Sequence, residues 1–240
     1  MRYVTLALCA LSTVASAQED PLTWFPLRVG GRWIYEHEWR SGDRNRPTVD
    51  RWSTEESVTG WATIPEGIVV LREAKERVNP DDQPVTHRIL ALDGSVRQVT
   101  QRGTSHGGYL VARSAYPYLI RGSCVYVISG GWDPQKQDLR PEFRKYLSDG
   151  SVSPDFCFPL QNGREWGTAD IPWRVEPARE DVGTFLPTQY SEAIHIFSNH
   201  FGSGGRDDVW FQKGIGVVGE HYRHNGTYDE HTKKLVSLTR

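Results

Sequence analysis

The sequence predicts a mostly β protein: one or more antiparallel curved sheets, or an incomplete barrel or sandwich, with one short helix. Three observations carry this. Short runs with period-two alternation recur at hairpin spacing. Gly, Pro, Asn and Asp punctuate them as turns. Only one stretch, 138–147, combines helical spacing with a start and a stop signal. The organisation comes from a near-copy. Phe25-Pro26-Leu27-Arg28-Val29-Gly30-Gly31-Arg32-Trp33 and Phe158-Pro159-Leu160-Gln161-Asn162-Gly163-Arg164-Glu165-Trp166 both fit Phe-Pro-Leu-x-x-Gly-x-x-Trp. Proline fixes φ and glycine permits a tight turn, so each copy reads as a turn feeding a strand near its tryptophan. The copies would divide a single domain, 18–240, into halves 18–150 and 151–240. Duplication and a recurring local way of entering a sheet both explain nine shared positions.

After the first copy, Trp33, Tyr35, His37 and Trp39 fall on one strand face, and Arg32, Glu36, Glu38 and Arg40 on the other. A loop, 41–47, leads to a strand over 50–59, a turn over 60–67 and a strand from Ile68 to Arg77. A turn at 79–84 precedes the clearest hairpin, Thr86–Leu92 and Ser95–Gln101 around Asp93-Gly94, a pair suited to a type I′ turn. Tyr109–Arg113 and Cys124–Ile128 are short apolar runs. Asp138 is the expected cap of the helix. Phe143, Tyr146 and Leu147 share a face of it, and Gly150 ends it. Strands are expected at 173–176, 192–199, 209–212, 215–223 and 235–238, with 201–208 as a long hairpin loop.

The first seventeen residues have the form of a secretory leader. Arg2 is a short positive n-region, Val4–Leu11 an apolar core and Ala15-Ser16-Ala17 a small-residue cleavage site. That run is too short to span a bilayer. Cys9 follows Leu8 inside the apolar core rather than a small residue, which argues against lipoprotein processing. Without the leader, Lys plus Arg falls from 28 to 27 against 30 acids, a net charge of −3. That balance gives no support for nucleic acid as a partner. The even cysteine pair that remains, Cys124 and Cys157, is expected to form a disulfide in an exported chain, stabilising by about 3–4 kcal/mol.

The familiar chemical motifs do not survive their context. Gly214-Ile215-Gly216-Val217-Val218-Gly219 matches G-x-G-x-x-G, but Asn225-Gly226 turns the chain where the fingerprint needs a helix. The expectation there is a strand whose glycines allow a bulge or tight packing on an aromatic. His221 and His224 are three apart in a strand and face opposite ways, so they cannot chelate together. No H-E-x-x-H, paired C-x-x-C or G-x-S-x-G occurs. Ser105-His106-Gly107-Gly108 is a glycine-rich loop and not a nucleophile elbow. Glu55-Glu56 and Asp207-Asp208 are neighbours that face apart. No catalytic, cofactor-binding or metal-ligating residue is therefore assigned, and no cofactor is expected. What remains is a load of nine tryptophans, which serves core packing or a flat, amphipathic ligand surface.

The segment from Trp24 to Tyr35, with its Phe-Pro-Leu-x-x-Gly-x-x-Trp-x-Tyr pattern, resembles the opening of a broad, largely uncharacterised group of exported bacterial β-rich proteins. Val209–Glu220, followed by Leu235-Val236-Ser237-Leu238, resembles that group's closing strands. The resemblance implies export and a β fold and transfers no catalytic residue. The expected protein is secreted or periplasmic and non-catalytic, with no transmembrane segment. It would bind an apolar small molecule, a lipid or other envelope-derived ligand, or an envelope protein, on a face including some of Trp33, Tyr35, Trp39 and Trp210. The alternatives are a glycan-acting hydrolase with unrecognised carboxylates and a purely structural envelope component.

Overall fold

The computed structural model describes residues 20–77, 84–90, 96–102, 114–115, 117–176, 186, 188–202 and 204–239. The expected leader, the Asp93-Gly94 turn, the 109–113 run and the 105–108 loop lie outside them. A one-turn helix α1, Pro21–Trp24, is capped by the Asp20 carboxylate, which accepts from the Leu22 N–H at 2.9 Å. The strands of the first half are β1, Arg32–Asp43, β2, Arg46–Ile64, and β3, Gly67–Arg77. The hairpin β4, Pro84–Leu90, with β5, Val96–Arg102, and the short β6, Ser114–Ala115, come after them. Next come β7, Tyr118–Arg121, β8, Cys124–Val127, β9, Trp132–Asp133, and β10, Asp138–Leu139. Helix α2, Pro141–Asp149, precedes β11, Phe156–Cys157, β12, Glu165–Gly167, and β13, Pro172–Glu176. The chain closes with β14, Ile194–His200, β15, Gly205–Gln212, β16, Gly216–His224, and β17, Tyr228–Thr239.

All described strand pairs are antiparallel. One sheet runs β11-β8-β7-β3-β2-β1-β17-β16-β15-β14-β13-β12, with β6 paired to β3 off this path. The first and last long strands, β1 and β17, pair at its centre. The sheet curls until its two ends nearly meet. Its edge strands β11 and β12 are separated by only 158–164, and the Trp166 indole N–H donates to the Asp155 carbonyl across the seam at 3.2 Å. One buried cluster draws residues from nearly every strand: Val125 near one edge and Val175 near the other join Trp33, Tyr35, Ile196 and Leu235. Such a cluster requires one face of the sheet to be the inside of a barrel.

Alternation sets which side chains enter it. Trp33, Tyr35 and His37 are buried on the inner face of β1, as the sequence pattern requires. One patch of the outer face is covered by the segment around α2. Val69 and Leu119, paired across β3 and β7, pack with Ile128, Trp132 and Leu139, and Phe143 and Leu147 of α2 lie against them. The helix thus covers a patch of the outside and leaves the inside untouched.

Several boundaries differ from expectation: the 41–47 loop narrows to Arg44 and Asn45 between β1 and β2, and the last strand begins at Tyr228 and not at 235. The helix starts at Pro141, not Asp138. Proline is favoured in the first helical turn, and Asp138 is held in β10 opposite Asp133. Tyr146 is 46% exposed, so only two of the three apolar helix residues pack. Strand β2 continues to Ile64, past a bulge between Val58 and Gly60 that absorbs the break in alternation, so the expected 60–67 turn narrows to Pro65 and Glu66. Residues 205–208, expected in a loop, begin β15. In the β4–β5 hairpin Leu90 lies opposite Val96, one residue away from the register a two-residue turn at 93–94 would impose.

Cys124 and Cys157 lie directly opposite in the β8–β11 pair and form a disulfide, with Cα atoms 4.1 Å apart. It ties the strand after β7 to the second Phe-Pro-Leu turn. The G-x-G-x-x-G run is a bulged strand: the register slips between Trp210 and Phe211, and a Cβ on Gly216 would stand 2.3 Å from the Phe25 ring. Only glycine allows that approach.

Candidate functional site

The inner wall is graded along the barrel axis. At one end both Phe-Pro-Leu turns plug it. Phe25 and Phe158 each meet the Phe211 ring edge-on, at 6.2 and 5.9 Å, and Leu27 and Leu160 are buried beside them. Trp33 donates from its indole to the Ile215 carbonyl at 2.9 Å, and Tyr35 from its hydroxyl to the Val217 carbonyl at 3.0 Å. Both polar tips are satisfied, so this end is a packed core.

Below it lies a buried charged layer. Arg72 pairs with Glu56 and donates to the Tyr118 hydroxyl at 2.7 Å. Lys233 reaches Glu56 at 2.9 Å and Glu220 at 3.0 Å, with its ammonium 4.3 Å from the Tyr35 ring centre. Burial opposes the charge on Glu56, yet Lys233 and Arg72 hold its carboxyl below the usual range. Burial likewise disfavours the Lys233 ammonium, but Glu220 and Glu56 raise its pKa well above the ordinary value. The Tyr35 phenol is pushed up by burial, then by Glu56. Cations and anions are matched here, which is what the low dielectric of the interior demands.

Towards the other end the wall changes character. Register steps from strand to strand trace one continuous inner row. Trp166 lies opposite Trp173, Trp173 opposite Ser198, and Ser198 opposite Asp207. Asp207 lies opposite Tyr222, Tyr222 opposite His231, and His231 opposite Trp39. Directly opposed residues share a face, and the row runs beside the buried Val175, Ile196 and Val209, so it faces inward. Trp166 and Trp173 form a parallel pair, planes 10° apart and centroids 6.4 Å apart. His200 Nε2 and Asp207 Oδ2 are 2.8 Å apart, with the two side chains 21% and 30% exposed. Burial raises the Asp207 pKa against the lowering effect of His200. The Tyr222 phenol is raised by burial, then by Asp229 and Asp207. Ser198 is fully buried, and its hydroxyl has no hydrogen-bond partner among the described residues.

At the β1 end of the row two histidines pair. His37 Nδ1 and His231 Nε2 are 3.1 Å apart with ring planes 8° apart, so the imidazoles are coplanar and edge to edge. The Trp52 indole stacks on both, at 4.8 and 5.5 Å. His37 Nε2 lies 2.8 Å from the Thr54 hydroxyl. A hydrogen bond there requires one proton in the N···N contact; with none or with two the facing nitrogens repel. Burial lowers the His231 pKa and so favours its neutral form.

Of the four sequence-predicted face residues, the structure brings Trp33, Tyr35 and Trp39 onto the inner face. Trp33 and Tyr35 are consumed by the core, and Trp39 sits half-buried in the row. Trp210 lies opposite Gly219 and His195 on the outer face, stacked on the His195 ring at 5.1 Å. There Asp208 accepts from His195 at 2.9 Å, Arg206 at 2.6 Å and Arg223 at 3.0 Å. Burial works against the Asp208 carboxylate, but His195 and Arg206 hold its pKa far below the usual range. Sequence reasoning did not find Ser198, Asp207, Tyr222 and His231 as neighbours. Each strand shows its own alternation, but the bulges at Ile34 and Phe211 and the closure of β1 on β17, which settle the register of the row, are not marked in any one strand.

Each Phe-Pro-Leu turn also opens on a cleft. The first, about 320 Å³, is lined by Leu22, Pro26, Trp33 and Leu238; the second, about 570 Å³, by Ser123, Pro159, Asn162 and Arg164. Among the described residues no group of three or more His, Cys, Asp or Glu could hold a metal ion, and no helix is long and apolar enough to cross a membrane.

No family model matches the chain, and no curated protein matches it at a significant level. Two solved structures resemble it in shape. One is a candidate exported protein with a YmcC-like fold from Bacteroides fragilis: TM-score 0.43, 8% identity, covering 91% of this chain and 99% of the other. The second is a candidate lipoprotein from Parabacteroides distasonis: TM-score 0.40, 11% identity, covering 92% and 100%. Likeness of that degree fixes neither fold nor function.

Proposed function

We propose that the protein is an exported, non-catalytic β barrel that holds an envelope-derived ligand against its inner wall, at the end away from the Phe-Pro-Leu turns. The single observation that carries this is the continuous inner row from Trp166 to Trp39. A row serving packing alone would be apolar and sealed, as the wall is around Phe211. This one is partly exposed at every position but the buried Ser198, and it is aromatic and polar, the composition of a ligand surface. Export rests on the form of residues 1–17.

The lack of a wired nucleophile among the described residues of the row supports a non-catalytic role. Ser198, His200 and Asp207 share the inner face, but Nδ1 of His200 lies over Gly205 and Nε2 is committed to Asp207. A serine nucleophile needs a base within hydrogen-bond reach. Inside the barrel, the wall around Phe211 is packed with side chains, so a lipid chain has no room there; the clefts at the two turns lie outside that packed interior.

The test is tryptophan emission during titration with oleate, phosphatidylethanolamine–phosphatidylglycerol vesicles and neutral oligosaccharides. A saturable change that Trp173→Ala removes and Trp61→Ala keeps is the expected result; Trp61 is 42% exposed and lies off the row. No saturable response to any of them would overturn the reading. Release of reducing ends that Asp207→Asn abolishes would replace it with the glycan hydrolase.

A further inference from the structure

We infer that the inner row is an oligosaccharide site for neutral or amino-bearing sugars, with Trp166 and Trp173 as one stacking platform, Trp39 as a second, and Ser198, Asp207 and Tyr222 as the polar contacts between them. This rests on the binding role proposed above and names its ligand class.

Four features point to sugar over lipid. The first is the alternation of chemistry. Tryptophan offers a flat apolar surface with a polar edge, which suits the C–H face of a pyranose ring and its flanking hydroxyls. The second is charge. The row carries a carboxylate at Asp207 and no lysine or arginine. The cations of the layer beneath, Arg72 and Lys233, are bound to Glu56 and Glu220. A phosphate or carboxylate headgroup would meet a negative wall, whereas sugar hydroxyls donate readily to a carboxylate. The third is length. Trp173 on β13 and Trp39 on β1 are five strand spacings apart, about 24 Å along the sheet. That separation fits an extended chain of several sugar units better than one compact headgroup. The fourth is an unfilled hydrogen bond. The buried Ser198 hydroxyl lies between Trp173 and Asp207 without a partner among the described residues, and the Trp39 indole N–H at the far end is likewise buried and unpartnered there. Buried donors are rarely left unmade, and a ligand that supplies acceptors would satisfy them.

Isothermal titration of the full mature chain with cellotetraose, maltotetraose and chitosan tetrasaccharide tests this, with oleate and anionic vesicles in parallel. Saturable binding of at least one tetrasaccharide is expected, with affinity falling about tenfold in Trp173→Ala, the size of one good contact. Ser198→Ala separates ligand contact from folding. Removing an unpartnered buried hydroxyl should leave the thermal midpoint unchanged or raised, while sugar affinity falls about threefold or more. Unaltered sugar affinity in both variants would overturn the assignment. Binding of oleate or vesicles but of no sugar would overturn the ligand class and leave the binding role standing. No binding of any probe would overturn both.

Discussion

The two Phe-Pro-Leu turns share four backbone contacts, differ at the Phe–Pro peptide, which is cis at Phe158–Pro159 and trans at Phe25–Pro26, and end in different strands. Arg28 N–H donates to the Pro26 carbonyl and Gly31 N–H to the Arg28 carbonyl; Gln161 to Pro159 and Arg164 to Gln161 repeat the pattern. Gly30 and Val58 in the first, Gly163 and Val175 in the second, then join each turn to its neighbouring strand. Both glycines have positive φ, 88° and 78°. Yet Trp33 opens a twelve-residue strand and is fully buried, whereas Trp166 lies in a three-residue edge strand and is half-buried. Local sequence sets the turn, and pairing partners set the length and burial of the strand after it. β1 pairs on both sides along its length, with β2 and β17. Among the described strands β12 pairs with β13 alone before Gly167 turns the chain.

The comparison breaks most readily at the tryptophans. Trp33→Ala should cost about 3–5 kcal/mol in urea unfolding, because it empties a filled core position. Trp166→Ala should cost about 1–2 kcal/mol, since part of its area is already in water. Equal losses would show that the turns, not the strands after them, set the burial.

Next in size is the disulfide, which belongs to the second turn alone. Replacing Cys124 and Cys157 together with serine should cost about 2–4 kcal/mol. It should also raise acrylamide quenching of Trp166 more than that of the buried tryptophans, because the seam beside Asp155 loosens. A uniform change in quenching would mean the bond stabilises only through the unfolded chain.

The glycines sharpen the likeness. A Cβ at Gly30 or Gly163 meets nothing within 4 Å, so the cost of alanine is conformational alone. Both substitutions should destabilise by about 1 kcal/mol. A difference well above that would show that the shared hydrogen bonds conceal unequal strain.

The smallest effect is pH dependence, and it belongs to the β1–β17 pair that follows from the first turn. Burial lowers the His231 pKa, so the unfolded chain takes up that proton first. The contribution of His231 is complete above its ordinary pKa near 6.5. It is lost as pH falls below that towards the lowered folded value. His231→Gln should flatten the urea midpoint between pH 7 and pH 5. An unchanged slope would remove the His37–His231 contact from the account.

Much of this architecture was open to inspection in the residues themselves. Period-two alternation placed Trp33, Tyr35, His37 and Trp39 on one face, and that is where they lie. The G-x-G-x-x-G run was legible as a strand because a turn comes after it too soon for a helix. The cysteine pair was legible because an even count behind a leader-like N-terminus has few other expected uses. These are local or compositional properties, and the chain carries them without its fold. Three things required the tertiary structure. Whether the aromatic face of β1 would be filled or open depended on Phe25, Phe158 and Phe211 converging from distant segments. Trp210 faces outward because β15 alternates between Val209 and Phe211, which the interior claims, and its partners His195 and Gly219 lie on the other face. The row from Trp166 to Trp39 exists only through the register of six strand pairs, and register is a property of paired backbones, not of any one strand's sequence.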